Sequence, residues 1–221
     1  MQISQFKTEA EEFLVRLNEQ LKKHEIMLAE HWQIDHICYR TSTLESYHEK
    51  CKSFLKFANL LIESDVNGRP ISTFKLHEPI RFMNRQTDVV ELPAPKSTKP
   101  QKDGFEHVEV VCDLPFTKLM KVFAHVQFNT DGLKKRFNQE LEMPLDDCAI
   151  KFHHISLESV ITVEKNKALF KALQSSQVLE VLHEYSPLIA GTFPLDLTVN
   201  SSDVDILVKA EHFAPLNKTS C

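Results

Sequence analysis

The sequence predicts an α+β fold: two βαβββ modules forming a curled mixed sheet or half-barrel around a central cavity, with an N-terminal amphipathic helix and a short, incomplete C-terminal α/β appendage. Three observations lead there. Strand-like and helix-like runs follow one another as strand, helix, strand, strand, strand between residues 34 and 92. The pattern restarts at Phe105. Five of the strands divide alike, with apolar side chains on one face and ionisable ones on the other.

Composition narrows the function classes. Of 221 residues, 42% are hydrophobic and 26% charged, enough apolar side chain for a packed core and no case for global disorder. The net charge of -5 gives no overall drive towards nucleic acid or an anionic membrane. With 4 glycines, neither G-x-G-x-x-G nor G-x-x-x-x-G-K can be written, which excludes the common nucleotide-binding loops. The five cysteines, Cys38, Cys51, Cys112, Cys148 and Cys221, show no C-x-x-C spacing and suit a reducing compartment. No apolar run approaches a membrane span and Met1 to Ala10 lacks a signal core, so the expectation is a cytoplasmic protein.

Each element has its own signal. Phe6, Ala10, Phe13, Leu14, Leu17 and Leu21 form one stripe at helical spacing, so residues 5 to 25 should be a helix docked by that stripe. Ile34 to Arg40 alternates as a strand, and Ser42-x-x-Glu45 reads as a capping box opening the next helix. Leu60 to Glu63, Ile71 to His77 and Val89 to Leu92 read as strands, with Asn67-Gly68 a tight turn and Pro93 and Pro95 a stop. Phe105 to Cys112 is a strand, Phe116 to Val126 a helix, and Ala149 to Ile155 a closing strand. Between them Leu133 to Glu142 looks helical, so the second module's middle strands are poorly marked. From Leu157 to about Leu182 the chain reads as helix, with a boundary near residue 164.

Alternation places His36, Cys38 and Arg40 on one face of the first strand. Lys75 and His77, Glu91, His107 and Glu109, and Lys151 and His153 take the same face of later strands. A solvated sheet face ordinarily favours Ser, Thr, Lys and Glu, without preference for His. Imidazole and carboxylate together are donors for a first-row transition metal, and two His plus one carboxylate suit Fe(II) or open Zn(II) and Mn(II) sites. Donors spread over four strands converge only if the sheet curls around them.

The blocks Asn67-Gly-Arg-Pro, Phe74-Lys-Leu-His-Glu-Pro79, Val90-Glu-Leu-Pro93, Gly104-Phe-Glu-His-Val-Glu109 and Ile150-Lys-Phe-His153 resemble the YecM family, a branch of the vicinal-oxygen-chelate superfamily with glyoxalase I, bleomycin-resistance proteins and extradiol dioxygenases. The resemblance covers about residues 5 to 163 and implies a domain 1–163 with modules at about 31–95 and 104–156. It implies metal ligands at His36, Glu91 and His107, with Lys151 in the slot where glyoxalases usually carry Glu and His153 as its substitute. The implied metal is a divalent transition ion, Fe, Mn, Ni or Zn. Glu109 and His77 become catalytic or positioning groups, and Arg40, Lys75 and Lys151 make the cavity cationic, suited to an anionic or oxygen-rich small molecule.

Residues 164–221 resemble the opening of a nucleotidyltransferase-like domain, Gly191-Thr followed by Asp203-x-Asp205 as a remnant Mg site, expected to be incomplete because no strand bearing a third carboxylate follows Asp205. Asn217-Lys-Thr is a chance match to a glycosylation sequon. The leading expectation is a metal-binding protein or metalloenzyme. The alternatives are a non-catalytic module that binds or sequesters a small molecule, and a remnant nucleotidyltransferase with an accessory domain. No nucleic-acid or membrane partner is expected, and the choice between monomer and dimer stays open.

Overall fold

The computed structural model describes residues 2–66, 68–96, 102–190 and 205–209. Helix α1 (Ile3–Lys23) buries Phe6, Ala10, Phe13, Leu14 and Leu17 on one stripe, and Lys22 and Lys23 complement the negative end of its dipole. Helix α2 (Leu44–Phe54) is capped by Thr43, whose hydroxyl accepts the Ser46 N–H at 3.0 Å. The cap thus falls one residue after the expected Ser42, because the Ser42 N–H is taken by Asp103 Oδ1 at 2.6 Å.

Seven strands form one sheet: β1 (Ile34–Arg40), β2 (Ala58–Asp65), β3 (Pro70–Phe82), β4 (Arg85–Pro93), β5 (Gly104–Val111), β6 (Leu141–Pro144) and β7 (Ala149–His153), in the order β2-β3-β4-β1-β5-β7-β6. β1 runs parallel to β4 and β5 parallel to β7, while β1 and β5 pair antiparallel in the middle. The expected large mixed sheet is present, and it is not closed: its outermost strands are β2 and β6. Asn67 lies outside the described residues; Gly68 next to it has φ +76, in the region that favours glycine, and donates its N–H to Asp65 Oδ1.

The first half follows the order β1, α2, β2, β3, β4. The second half departs from it. After β5 and helix α3 (Phe116–Val122), which stops short of Val126, the stretch expected as helix over 133–142 is one 3₁₀ turn at Asp131–Lys134, then loop, then the start of β6. The reason is local: Asp131-Gly132 is turn chemistry, and Asn138 sits at φ +48, which no continuing α-helix accommodates. In place of the further strand that a full second module requires, a single antiparallel bridge joins Asn129 to Glu142.

One core collects α1, α2, α3 and the apolar sheet face: Phe6, Phe13, Phe54, Phe74, Phe116 and Phe152 are all essentially solvent-free. Phe6 is its hub, with ring centroids 5.0 Å from Phe54, 5.5 Å from Phe105 and 5.9 Å from Phe57. The C-terminal part is α4 (Leu157–Lys165), α5 (Lys167–Ser176), α6 (Val178–Val181), β8 (Leu188–Ala190) and β9 (Asp205–Leu207). It packs a smaller core around Val160, Val163, Leu173, Leu179 and Ile189. The single helix expected over 157–182 is broken at Asn166 and at Gln177, whose φ is +55. Asp113 ties this part to the sheet, accepting Lys209 Nζ at 2.7 Å and Trp32 Nε1 at 2.8 Å while its carbonyl accepts Ser186 Oγ at 3.0 Å. No helix among the described residues is long and apolar enough to cross a membrane.

Phe6→Ala should cost about 3–5 kcal/mol, the range for truncating a buried aromatic into a rigid surround. Urea unfolding followed by tryptophan fluorescence at Trp32 reads it.

Candidate metal centre

The ionisable sheet face is organised in rows across the strands. Pairing sets His36 opposite Glu109, Cys38 between Glu91 and His107, and Lys151 between Glu109 and Glu142. Side chains from β1, β4, β5 and β7 therefore stand side by side, and they close on Glu109. His107 Nε2 lies 3.1 Å and His36 Nε2 3.5 Å from Glu109 Oε1, and Lys151 Nζ is 3.4 Å from the same oxygen. His153 Nε2 hydrogen-bonds the other oxygen, Oε2. The four central head-groups are secluded from solvent, with His36, His107, Glu109 and His153 exposing 2%, 6%, 6% and 4%.

A break in strand register shapes the rim of this cluster. β1 is irregular between Ile34 and His36, and there the Asp35 carboxylate turns onto its neighbour, accepting His36 Nδ1–H at 2.8 Å. The same Oδ2 accepts the Leu157 N–H at 2.9 Å, where α4 begins. Since a carboxylate only accepts, His36 carries a hydrogen on Nδ1, and its Nε2 is buried with no hydrogen-bond partner among the described residues.

Charge is shared across the cluster. Burial opposes a proton on His36, yet the field of Glu109 and the bond to Asp35 outweigh it and raise its pKa to about 10. Burial likewise opposes charge on His107, but the neighbouring carboxylates of Glu106 and Glu109 lift it well above the usual histidine value. For Glu109, burial favours the neutral acid; the positive surroundings of His36, His153 and Lys151 override that and hold the carboxyl well below the ordinary range. The His107 imidazole, its Nδ1 3.8 Å from Glu106 Oε2, acts against the pull of burial and with the help of Arg40 to take Glu106 down to about 2. Burial pushes the Cys38 thiol up, so it stays protonated.

Three sets of donor atoms lie mutually within 4.8 Å: His36, Glu91 and Glu109; Glu109, Glu140 and His153; and Cys38, Glu106 and His107. The expected triad His36, Glu91 and His107 is not one of these sets: His36 and Glu91 share theirs with Glu109, while His107 groups with Cys38 and Glu106 and meets Glu109 Oε1 through Nε2 at 3.1 Å. Glu109, expected as a positioning or catalytic group, occupies the centre.

Other expected cavity residues lie elsewhere. His77 is exposed and meets Asn59 Oδ1 at 3.4 Å, because β3 shifts register between Lys75 and Ile80 and the His77 N–H turns to the Phe57 carbonyl. Lys75 reaches Glu158 at 2.7 Å and Asp88 at 3.1 Å instead of the cluster. Arg40 holds Glu106 at 2.7 Å and touches the centre only through it. Asp203 lies outside the described residues, and Asp205 is exposed on β9 opposite Ala190.

Sequence reasoning missed Asp35, Glu106 and Glu140. Strict alternation puts Asp35 and Glu106 on the apolar face, and only the register shifts bring them round. Glu140 sits in the stretch whose spacing suggests a helix. A charged residue on each predicted core face was the available signal.

The model of the YecM protein family matches residues 2–164, and that of a domain of unknown function, DUF4269, matches residues 171–220. An uncharacterised protein of Haemophilus influenzae is 37% identical over 86 residues, 39% of this chain and 44% of that protein, less than half its length. Protein YecM of Escherichia coli is 30% identical over 152 residues, 60% of this chain and 78% of that protein. A solved structural-genomics protein, Protein EC4020, is 28% identical with a TM-score of 0.59, over 69% of this chain and 87% of that one.

Metal-free protein should lose stability on both sides of mildly acidic pH. The raised pKa of His36 contributes in full below about 6.5, the unfolded value, and is lost as pH rises through about 10. The lowered pKa of Glu109 contributes above its unfolded value and is lost in acid. His36→Gln should flatten the alkaline limb of urea midpoints measured against pH. Glu109→Gln, which leaves buried imidazoles without their counter-charge, should cost about 3–5 kcal/mol.

Proposed function

This chain belongs to the YecM family, and on that footing we propose that the side chains around Glu109 hold one divalent transition metal and present it to a small anionic or oxygen-rich molecule. The observation that carries the reading is the state of His36. One ring nitrogen is held by a carboxylate, and the other is buried without a hydrogen bond among the described residues, 3.5 Å from Glu109 Oε1. That is how a ligating histidine is ordinarily fixed, its second nitrogen donating to a carboxylate that sets tautomer and ring orientation.

The donor set fits such an ion. His36, His107, Glu91 and Glu109 offer imidazole nitrogen and carboxylate oxygen, a mixture suited to Fe, Mn, Ni or Zn and poorly matched to Ca or Mg, which prefer oxygen alone. Bound there, the metal would act as a Lewis acid, polarising two neighbouring oxygens of the substrate. The remaining work belongs to the chain. Lys151, raised above its ordinary pKa by Glu109, Glu140 and Glu91 against the effect of burial, stays cationic and attracts an anionic oxygen. Asp35 keeps the His36 ring from rotating. His153 bonds the far oxygen of Glu109, its Nδ1 has no hydrogen-bond partner among the described residues, and in this reading it takes up or returns a proton.

A second reading, a binding module without turnover, is favoured by the depth of burial of the four head-groups, since little solvent-accessible surface remains for exchange of substrate and product. It predicts a ligand-induced melting shift that persists after EDTA.

Protein made in metal-sufficient cells and purified without chelator should carry about one equivalent of Fe, Mn, Ni or Zn by elemental analysis, and His36→Ala should carry none. Binding must expel the proton that His36 holds up to about pH 10, so apparent affinity should rise about tenfold per pH unit per proton displaced. Substoichiometric metal, together with a His36→Ala variant that titrates like the parent, sinks the reading.

A further inference from the structure

Glu109 turns its two oxygens to different neighbours. Oε1 lies 3.5 Å from His36 Nε2, 3.1 Å from His107 Nε2 and 3.4 Å from Lys151 Nζ, whereas Oε2 takes the hydrogen bond of His153. The proposed function draws its ligands from β1, β4 and β5, on the side of the first oxygen. On the side of the second stands another set, Glu109, Glu140 and His153, whose donor atoms also lie within 4.8 Å of one another.

Three separate pieces of chain build this second set. His153 ends β7 and is only 4% exposed. The antiparallel pairing of β6 with β7 sets Leu141 opposite Phe152, which brings Glu140, one residue earlier, level with His153, one residue later. His153 Nε2 is 3.9 Å from Glu140 Oε2. Two donors that each bind one ion at about 2.1 Å stand about 3–4 Å apart, so both can close on a single ion with little movement. The carboxylates of Glu109 and Glu140 repel each other at this range, and a cation shared between them relieves both.

The same surroundings make this the weaker of two sites. Lys135 holds Glu140 Oε2 at 2.7 Å from the exposed side, and Lys151 stands beside Glu109. An incoming ion must displace the first of these cations and tolerate the second. It also finds one imidazole, where the first site has His36 and His107. The second set therefore fills last.

Resting on the metal-centre reading above, we infer that the centre accepts a second divalent transition metal at Glu109, Glu140 and His153, with the Glu109 carboxylate bridging the two ions. Ions paired in this way stand about 3.5–4 Å apart. A ligating histidine is a neutral imidazole. An ion on His153 is thus incompatible with the proton uptake that the proposed function gives this residue, and excess metal acts as a brake on the centre.

Titration of the full chain, already carrying its first equivalent, with Mn(II) and separately with Zn(II) tests it. A second equivalent should bind more weakly than the first. Glu140→Gln and His153→Gln should each abolish that second step and keep the first; Glu140 is half-buried, so its variant keeps the test valid should the His153 variant fail to fold. In electron paramagnetic resonance the sharp hyperfine pattern of an isolated Mn(II) ion should broaden as the second equivalent binds, and stay sharp in Glu140→Gln. Uptake that ends at one equivalent, lost in His36→Ala, would overturn the inference and leave the metal-centre reading standing, whereas no uptake at all would remove both. A second equivalent that persists in both variants, or that leaves the Mn(II) pattern sharp, is bound elsewhere on the protein and equally overturns it.

Discussion

An ionised carboxylate in the interior is expensive by several kcal/mol unless opposite charge and hydrogen bonds surround it. Glu109 meets that condition by drawing donors from three strands: His36 on β1, His107 beside it on β5, and Lys151 and His153 on β7. The pairing of β1 with β5 and of β5 with β7 must therefore be in register, because a slip by one residue would turn every one of these side chains to the apolar face. Packing on the other side imposes the same register. Phe6 and its ring partners accept only the apolar set, so the aromatic core and the polar cluster specify one alignment from opposite faces of a single sheet.

Much of this architecture was legible because alternation is a strong signal wherever both faces of a strand have distinct roles. Ile34 to Arg40, Val89 to Leu92 and Phe105 to Cys112 each announce a strand and the side on which their histidines or glutamates stand. His36, Glu91, His107 and Glu109 follow directly. What escaped is what breaks alternation. Asp35 and Glu106 come round to the polar face through irregularities in β1 and its pairing with β5, and His77 leaves it through the shift in β3. Such bulges depend on cross-strand hydrogen bonding that one strand's own residues do not encode.

The second half of the sheet was harder to read for a related reason. Leu133 to Glu142 carries helical spacing of apolar residues, but Gly132 precedes it in a turn and Asn138 interrupts it, and tertiary contacts make the stretch a turn, a loop and an edge strand. That loop delivers Glu140 to one side, towards His153, and Asn138 and Gln139 to the other, towards His154. Consecutive residues thus turn towards two adjacent buried histidines, an arrangement that a helix, with its side chains radiating in every direction, would not permit.

The Asp35 carboxylate has a double attachment with mechanical meaning. One oxygen receives both the imidazole of His36 and the first amide of α4. Helix α4 is the lead-in to all that follows residue 157, and its Glu158 is clasped by Lys75 from β3. Any event that rotates the His36 ring or redistributes charge on it also tugs on the anchoring of that helix. Helix α4 is in this sense leashed to the buried polar cluster, and a disturbance at the centre of the sheet has a short hydrogen-bonded route to it.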